Sequence, residues 1–190
     1  EKGTYIFNSK DLCMIEHIPE LISVGIKSLK IEGRMKSPYY VATVVRSYRM
    51  AIDEYLADPQ NYQYNEKWLE EIKKASHRDH TKGFYFGKPT ENEQLYTSSS
   101  YIRTYDFVGL VLDYNKDTRI ATIEQRNRIF VGDEVEVFGP NREHFDQVID
   151  KMWDKEDNEI EVAPHAQQIF KIRMDKPVET WDIIRKPRKE

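Results

Sequence analysis

Cysteine is nearly missing from this chain: among 190 residues there is only Cys13. No intrachain disulfide can form, and a reducing compartment is expected. Long apolar runs are missing too. Nothing approaches the ~20 residues that span a bilayer, and nothing resembles a signal peptide. The expectation is a soluble, cytoplasmic protein with no membrane partner. An excess of positive charge is also lacking, since 29 Lys and Arg face 33 Asp and Glu for a net charge of −4. That balance argues against a general nucleic-acid coat. The sequence holds no serine-hydrolase elbow, phosphate-binding Walker loop, dinucleotide fingerprint or zinc-protease helix motif. Internal repeats and low-complexity tracts are absent. An initiator methionine is lacking as well, because the chain opens on Glu1-Lys2-Gly3. It is therefore expected to be a piece of something longer.

What is present is charge of one sign in one place. Between Gly25 and Met50 stand Lys27, Lys30, Arg34, Lys36, Arg46 and Arg49, against Glu32 alone. Within that window lies Ser28-Leu29-Lys30-Ile31-Glu32-Gly33-Arg34-Met35-Lys36-Ser37-Pro38. Leu29 and Ile31 alternate with Lys30 and Glu32, the period of a strand. Gly33 suits a sharp exit, through backbone angles that other residues resist. Ser37 then Pro38 reads as an N-cap and a first helical position. A strand-to-helix turn of this kind offers backbone N–H groups beside Arg34 and Lys36, an anion site for carboxylate or phosphate. Glu32 is placed to orient Arg34 by a bidentate pair.

Around that stretch the chain reads as α/β. Tyr5-Ile6-Phe7 suggests a strand. Leu12 to Val24 carries a helical face at Leu12, Ile15, Ile18, Leu21 and Ile22, capped by Ser9 or Asp11, kinked at Pro19 and ended by Gly25. A second helix, from Ser37 to about Ala57, shows an apolar stripe of Val41, Val44, Val45, Tyr48, Ile52 and Tyr55. Two parallel strands are too few for a covered sheet, so a larger domain is expected to extend beyond them. A break at Asp58-Pro59 precedes a helix from Glu66 to about Ser76, and Thr97–Ser100 looks like a linker. From Tyr105 short alternating runs succeed one another: 107–112, 119–124, 134–138, 145–152, 159–162, 168–172 and 179–184. Turns at 114–117, 131–133 and 138–141 separate several of them. This spacing suggests a small closed or nearly closed β-barrel.

Several residue pairs invite chemistry. Cys13 and His17 lie four apart on the expected first helix, as a nucleophile and base could. The plain alternative is that Cys13 is a small buried hydrophobe. His77 and His80 have a ligand-like spacing without Cys or Glu nearby to complete a set. Phe84, Tyr85 and Phe86 beside Lys82 and Lys88 could stack bases, although a packed aromatic strap is the simpler account. Arg46 and Arg49 could meet RNA phosphate, with pairing of Arg49 to Asp53 as the alternative.

Taken together, Asn8-Ser9-Lys10-Asp11-Leu12-Cys13, the Ser28–Ser37 stretch with its Lys30-Ile31-Glu32-Gly33-Arg34 centre, Tyr39-Tyr40-Val41-Ala42 and Tyr48–Asp53 resemble the collagenase-like peptidase family U32. Ser76-His77-Arg78, Thr81 and Gly83-Phe84 resemble its next block, with His80 where an aromatic is expected. Phe107-Val108-Gly109, Arg126-Asn127 and Val131-Gly132-Asp133 are similar to its C-terminal barrel module.

The resemblance implies that residues 1–57 are the last βα units of a TIM-like barrel, 58–100 a helical segment and linker, and 101–190 the small β-barrel. The Gly33–Ser37 turn would then lie on the catalytic rim. It also implies action on transfer RNA, in hydroxylation of the wobble uridine, with prephenate as an implicated metabolite. Lys30, Glu32, Arg34 and Lys36 would bind substrate or another anion, while the catalytic residues stay unassigned. Relatives carry a four-iron four-sulfur cluster, and Cys13 falls where a last ligand would, so an iron-sulfur cluster is implied for a complete protein. The family label implies a peptidase acting on a peptide as the alternative, and a non-catalytic binding or dimerisation module, such as a homo-oligomer, as a third.

Overall fold

A computed structural model describes residues 8–96, 98, 100–140 and 142–188. Its chain divides into two compact units, Glu1–Thr104 and Tyr105–Glu190. The strand expected at Tyr5–Phe7 lies outside the described residues, as do Thr97 and Ser99 of the linker.

In the first unit a two-residue strand β1 (Asp11–Leu12) pairs in parallel with β2 (His80–Thr81). The long first helix expected from Leu12 is not formed. Leu12 is spent in β1, a single 3₁₀ turn covers Ile15–His17, and α1 runs only from Ile18 to Ser23. Pro19 therefore opens a helix rather than kinking one, which is where its missing N–H costs least. Neither Ser9 nor Asp11 caps it; the N-cap is His17, whose side chain makes no capping bond to the helix backbone. Gly25 does end the helix. Its φ is +84°, its N–H donates to Ile22 O, and the Ile26 N–H donates to Leu21 O, the paired bonds of a Schellman stop.

The expected strand at Ser28–Glu32 is absent: these residues have no ladder partner among the described residues. A strand is a paired object, and alternation alone cannot supply the neighbour. Helix α2 then covers Pro38–Ala57, with Ser37 Oγ accepting the Tyr40 N–H at 3.3 Å. Its buried face differs from the expected stripe. Tyr39, Thr43, Val44, Arg46, Ser47 and Ala51 are covered, while Val41 and Val45 stay exposed. The covering element is α3 (Lys67–Lys74), which inserts Trp68 and Ile72. Around Trp68, Tyr62 stacks at 6.0 Å and Tyr64 packs edge-on at 5.9 Å. The uncovered flank of α2 instead borders an open apolar groove of about 500 Å³, with Ile22, Ile26, Leu29, Ile31 and Ile52 in its walls.

The second unit is a curled antiparallel sheet. Its strands are β3 (Tyr105–Asn115), β4 (Ile120–Gln125), β6 (Glu134–Phe138), β7 (Phe145–Val148), β8 (Met152–Asp154), β9 (Glu159–Ile160), β11 (Ile169–Arg173) and β12 (Ile183–Pro187), ordered β7-β6-β12-β3-β4-β11-β8-β9. A small pair, β5 (Ile129–Phe130) with β10 (Val162–Ala163), stands beside it. The expected run 145–152 splits into β7 and β8, and 159–162 splits between β9 and β10. The last strand lies at 183–187, because Thr180 and Trp181 turn, Trp181 with φ +76°. No ladder joins β7 to β9 among the described residues, so this is a half-barrel rather than a closed one. Its core includes Val108, Val111, Ile123, Ile149, Phe170, Ile172 and Ile184. Arg185 is buried there too, with Nε and Nη2 donating to Glu136 Oε2 at 2.7 and 2.6 Å.

Candidate functional site

The Gly33 turn is built, though not for the reason its glycine suggested. Gly33 is not among the positive-φ glycines. Its constraint is space: a Cβ there would stand 2.7 Å from Val41 Cγ2. The Lys36 N–H donates to Gly33 O at 2.9 Å, and the Arg34 N–H donates to Glu32 Oε1 at 3.2 Å. The expected pair between Glu32 and the Arg34 guanidinium is thus replaced by a bond to the Arg34 backbone. With Tyr40 N–H held by Ser37, several donors of the expected anion nest are already satisfied within the turn.

Lys36 does not point outward from that turn. Its ammonium lies 3.5 Å from the centre of the Tyr101 ring and 5.1 Å from that of Tyr40, and it donates to Ser76 O at 3.3 Å. Arg78 approaches the same Tyr101 ring, its Cζ 5.0 Å from the centre. Arg78 is fixed by its backbone N–H donating to Asp11 Oδ2 at 3.0 Å and its Nη1 donating to Ser9 O. A ring face attracts cations through its quadrupole, so Tyr101 gathers two of them. The open side of this arrangement is a cleft of about 540 Å³, whose walls include Lys30, Glu32, Lys36, Tyr40, Tyr85 and Tyr101. Lys30 and Glu32 are exposed at its edge, and Arg34 is exposed without lining it.

The cleft floor is tied down by Tyr48, whose hydroxyl accepts the Met14 N–H at 2.8 Å and meets Cys13 Sγ at 3.8 Å. Burial, with the Cys13 sulfur next, pushes the Tyr48 hydroxyl pKa well up, so it stays protonated. Burial raises Tyr40 as well. These phenols are neutral walls rather than bases.

Other expected groups fall elsewhere. Cys13 is buried, while the imidazole of His17 turns away to Glu20 Oε1 at 3.1 Å and to the Phe86 ring; the two do not form a nucleophile–base pair. Arg46 is buried and faces Glu71 at 3.5 Å. Arg49 is exposed and meets Asp53 at 2.5 Å, the helical pairing expected of it. His77 and His80 stack at 5.0 Å, and His77 Nδ1 meets Ala75 O. Burial, then the neighbouring His77, lowers the His80 pKa to about 4. The rings of Phe84, Tyr85 and Phe86 are exposed, not packed into a strap.

Sequence reasoning missed Tyr101 and Arg78 as parts of the site. Both are brought in by the backbone bridge between His77 and Ile102, a long-range pairing with no local signature.

Residues 1–95 match the family model described as peptidase family U32, and residues 103–185 match the model of the peptidase family U32 C-terminal domain. A tRNA hydroxylation protein P1 of Bacillus subtilis is 47% identical over 98% of this chain and 44% of its own length. An uncharacterized protease of Methanocaldococcus jannaschii is 33% identical over 88% of this chain and 41% of its own length. The chain therefore spans less than half of either relative. A crystal structure of the C-terminal domain of a Geobacillus thermoleovorans protein, described as a U32 peptidase, is 48% identical. It covers 43% of this chain and 99% of that one, at a TM-score of 0.42.

Proposed function

The chain belongs to peptidase family U32, and we propose that it is the substrate-holding part of a protein that hydroxylates the wobble uridine of transfer RNA in the cytoplasm. The observation that carries this reading is the lining of the cleft. Four tyrosines and two lysines, with Glu32 at the edge and Asp11 held by the Arg78 N–H, suit a flat ring attached to an anion, which describes a nucleotide. The similarity to a tRNA hydroxylation protein over nearly the whole chain agrees with it. In this reading Lys36 and Lys30 meet phosphate, Tyr40, Tyr85 and Tyr101 flank the base, and Glu32 fixes the turn. Arg34, exposed outside the cleft, and Arg49, released from Asp53, would meet flanking phosphates.

We place Ser28–Ala57 as a last βα unit of a TIM-like barrel. The unpaired segment at Ser28–Glu32 and the open apolar groove beside it support this, since further strands and helices would cover both. The half-barrel would position substrate. An iron-sulfur cluster would need further ligands, because this chain offers one thiolate, and Cys13 is 4% exposed against Tyr48. The residues present do not hold such a cluster by themselves; in a complete protein Cys13 would be one ligand of several.

The protease label of one relative supports the second reading, hydrolysis of a peptide. Its nucleophile would have to come from elsewhere, given that Cys13 and His17 do not meet. The deciding experiment is mass spectrometry of transfer RNA from a strain lacking the parent gene. Hydroxylated wobble uridine should disappear and return on complementation. Unchanged hydroxyuridine in the deletion strain would refute the RNA reading.

A further inference from the structure

The turn Lys82–Lys88 stands between two recesses of the first unit. One is the cleft described above, with Tyr85 in its wall. The other, about 350 Å³, has Lys10, His80, Lys82, Phe86, Lys88 and Glu93 among its lining residues. The turn is a built feature rather than a slack loop. Gly83 and Gly87 hold φ of +56° and +140° on either side of Phe84-Tyr85-Phe86, conformations that side chains resist. Thr81 Oγ1 accepts the Gly83 N–H at 2.9 Å, Lys82 O accepts the Tyr85 N–H at 3.3 Å, and the Lys82 ammonium is anchored on Glu16 Oε2 at 2.6 Å. Yet the rings it presents are exposed: Phe84 81%, Tyr85 57% and Phe86 60%. A turn this well fixed leaves three large rings largely in water, Phe86 keeping a tilted contact with the His17 ring at 4.3 Å.

We propose that this turn divides two successive nucleotides of a single-stranded RNA loop, one base stacking on Tyr85 in the cleft and the next on Phe86 in the second recess. The proposal rests on the RNA reading above and adds to it where the strand parts. Charge favours this occupant. Across the two recesses five lysines (10, 30, 36, 82 and 88) face three carboxylates (Asp11, Glu32 and Glu93). Of these, Lys82 is committed to Glu16 and Asp11 to the Arg78 N–H. That leaves Lys10, Lys30 and Lys88 for the phosphates on either side of the divider, with Lys36, on Ser76 O and the Tyr101 ring, adding a charge that no carboxylate neutralises among the bonds described. Every base has a face to stack, so the turn would set strand geometry rather than base identity. A duplex cannot part around it, because its bases stay stacked.

The test is fluorescence anisotropy of this chain with a labelled anticodon stem-loop and, separately, a fully paired RNA of the same length. The stem-loop should bind tighter. Tyr85→Ala and Phe86→Ala should each weaken it roughly tenfold or more, within the range for loss of one base–aromatic stack. Tyr85→Phe, which keeps the ring, should bind as the parent does, and duplex binding should not change in any variant. Affinity for the stem-loop unchanged in both alanine variants would overturn the proposal. So would equal binding of the duplex, or equal displacement by a gelatin peptide. Ring-dependent loop binding with intact hydroxyuridine in the deletion strain would support the divider and refute the hydroxylation reading. Loss of hydroxyuridine with no ring dependence would do the reverse.

Discussion

Replacing Lys36 with methionine separates the role that the structure shows for its ammonium group, on the Tyr101 ring and Ser76 O, from the role proposed for it, contact with RNA phosphate. The substitution keeps an unbranched stem against Tyr40 and Tyr101 and removes only the charge and its donors. Within the chain, Lys36 holds one ring face at 3.5 Å and one carbonyl at 3.3 Å. A cation on an exposed ring contributes about 0.5–1 kcal/mol, and a long hydrogen bond about 1 kcal/mol net. The first unit should therefore lose about 1–2 kcal/mol. Toward RNA, one phosphate contact fewer changes the slope of log K against log salt by about 0.7 for a single strand. At ~0.1 M salt that is a loss of about fivefold in affinity. The assay is anisotropy with the anticodon stem-loop, titrated over roughly 50–200 mM salt, beside denaturation of the same variant. Tyr101→Ala serves as the counter-variant: it should cost stability and a stacking face and leave the salt slope unchanged. If Lys36→Met loses stability while slope and affinity stay put, Lys36 is a structural cation and its assignment to phosphate is wrong.

Other outcomes follow from single contacts. Gly33→Ala should cost about 1 kcal/mol, since Val41 is stiff at χ1 in a helix and stands 2.7 Å from the added Cβ; adding Val41→Ala should restore most of that loss in urea titrations. Phe170→Ala, fully buried in the half-barrel, should cost about 3–5 kcal/mol. At 4–8 °C per kcal/mol for a domain of this size, that lowers the calorimetric transition of the second unit by at least about 12 °C. A transition that stays in place would refute the packing described. His80 should titrate near pH 4, far below an ordinary imidazole. Because the unfolded form binds its proton first, stability is complete above about pH 6.5 and falls as pH drops toward 4. His80→Gln should flatten the curve in that window, and an ordinary imidazole titration by NMR would contradict the burial.

The parts of the fold legible in the sequence are those with local causes. Ser37-Pro38 announced the start of α2 because a hydroxyl and a ring satisfy the first turn without help from elsewhere. Gly25 announced the end of α1 because a left-handed residue closes a Schellman stop within six residues. The alternating runs after Tyr105 gave the antiparallel character of the second unit, and its breaks appeared where Asp150, Glu161 and Trp181 leave the ladder. What was not legible depended on partners far along the chain. The face α2 buries was set by Trp68 and Ile72 arriving from α3, so an arginine went inside and two valines stayed out. Lys36 was visible as a cation, but the ring it lies on comes from Tyr101, which a two-residue backbone bridge delivers.

These two kinds of cause meet in the segment from Ile26 to Glu32. Leu29 and Ile31 line the apolar groove and also the cleft, so one stretch of backbone forms a wall of each. The cleft's other walls, Lys36, Tyr40, Tyr85 and Tyr101, are held by helix capping, by the turn at Gly83 and by the bridge between His77 and Ile102. The shared wall has no such hold, because its backbone makes no ladder with any of the described residues. Whatever covers the groove therefore also fixes where Lys30 and Glu32 stand, since register sends alternate side chains to opposite faces. The two lysines of the site should consequently differ. The Lys36 contact is complete within this chain, while Lys30 stands on a segment without a ladder partner among the described residues, and under the proposed barrel reading its position depends on the element that would pair there. Substitutions at Lys36 should act alike in this chain and in a longer protein, and substitutions at Lys30 should act more strongly once that pairing is made.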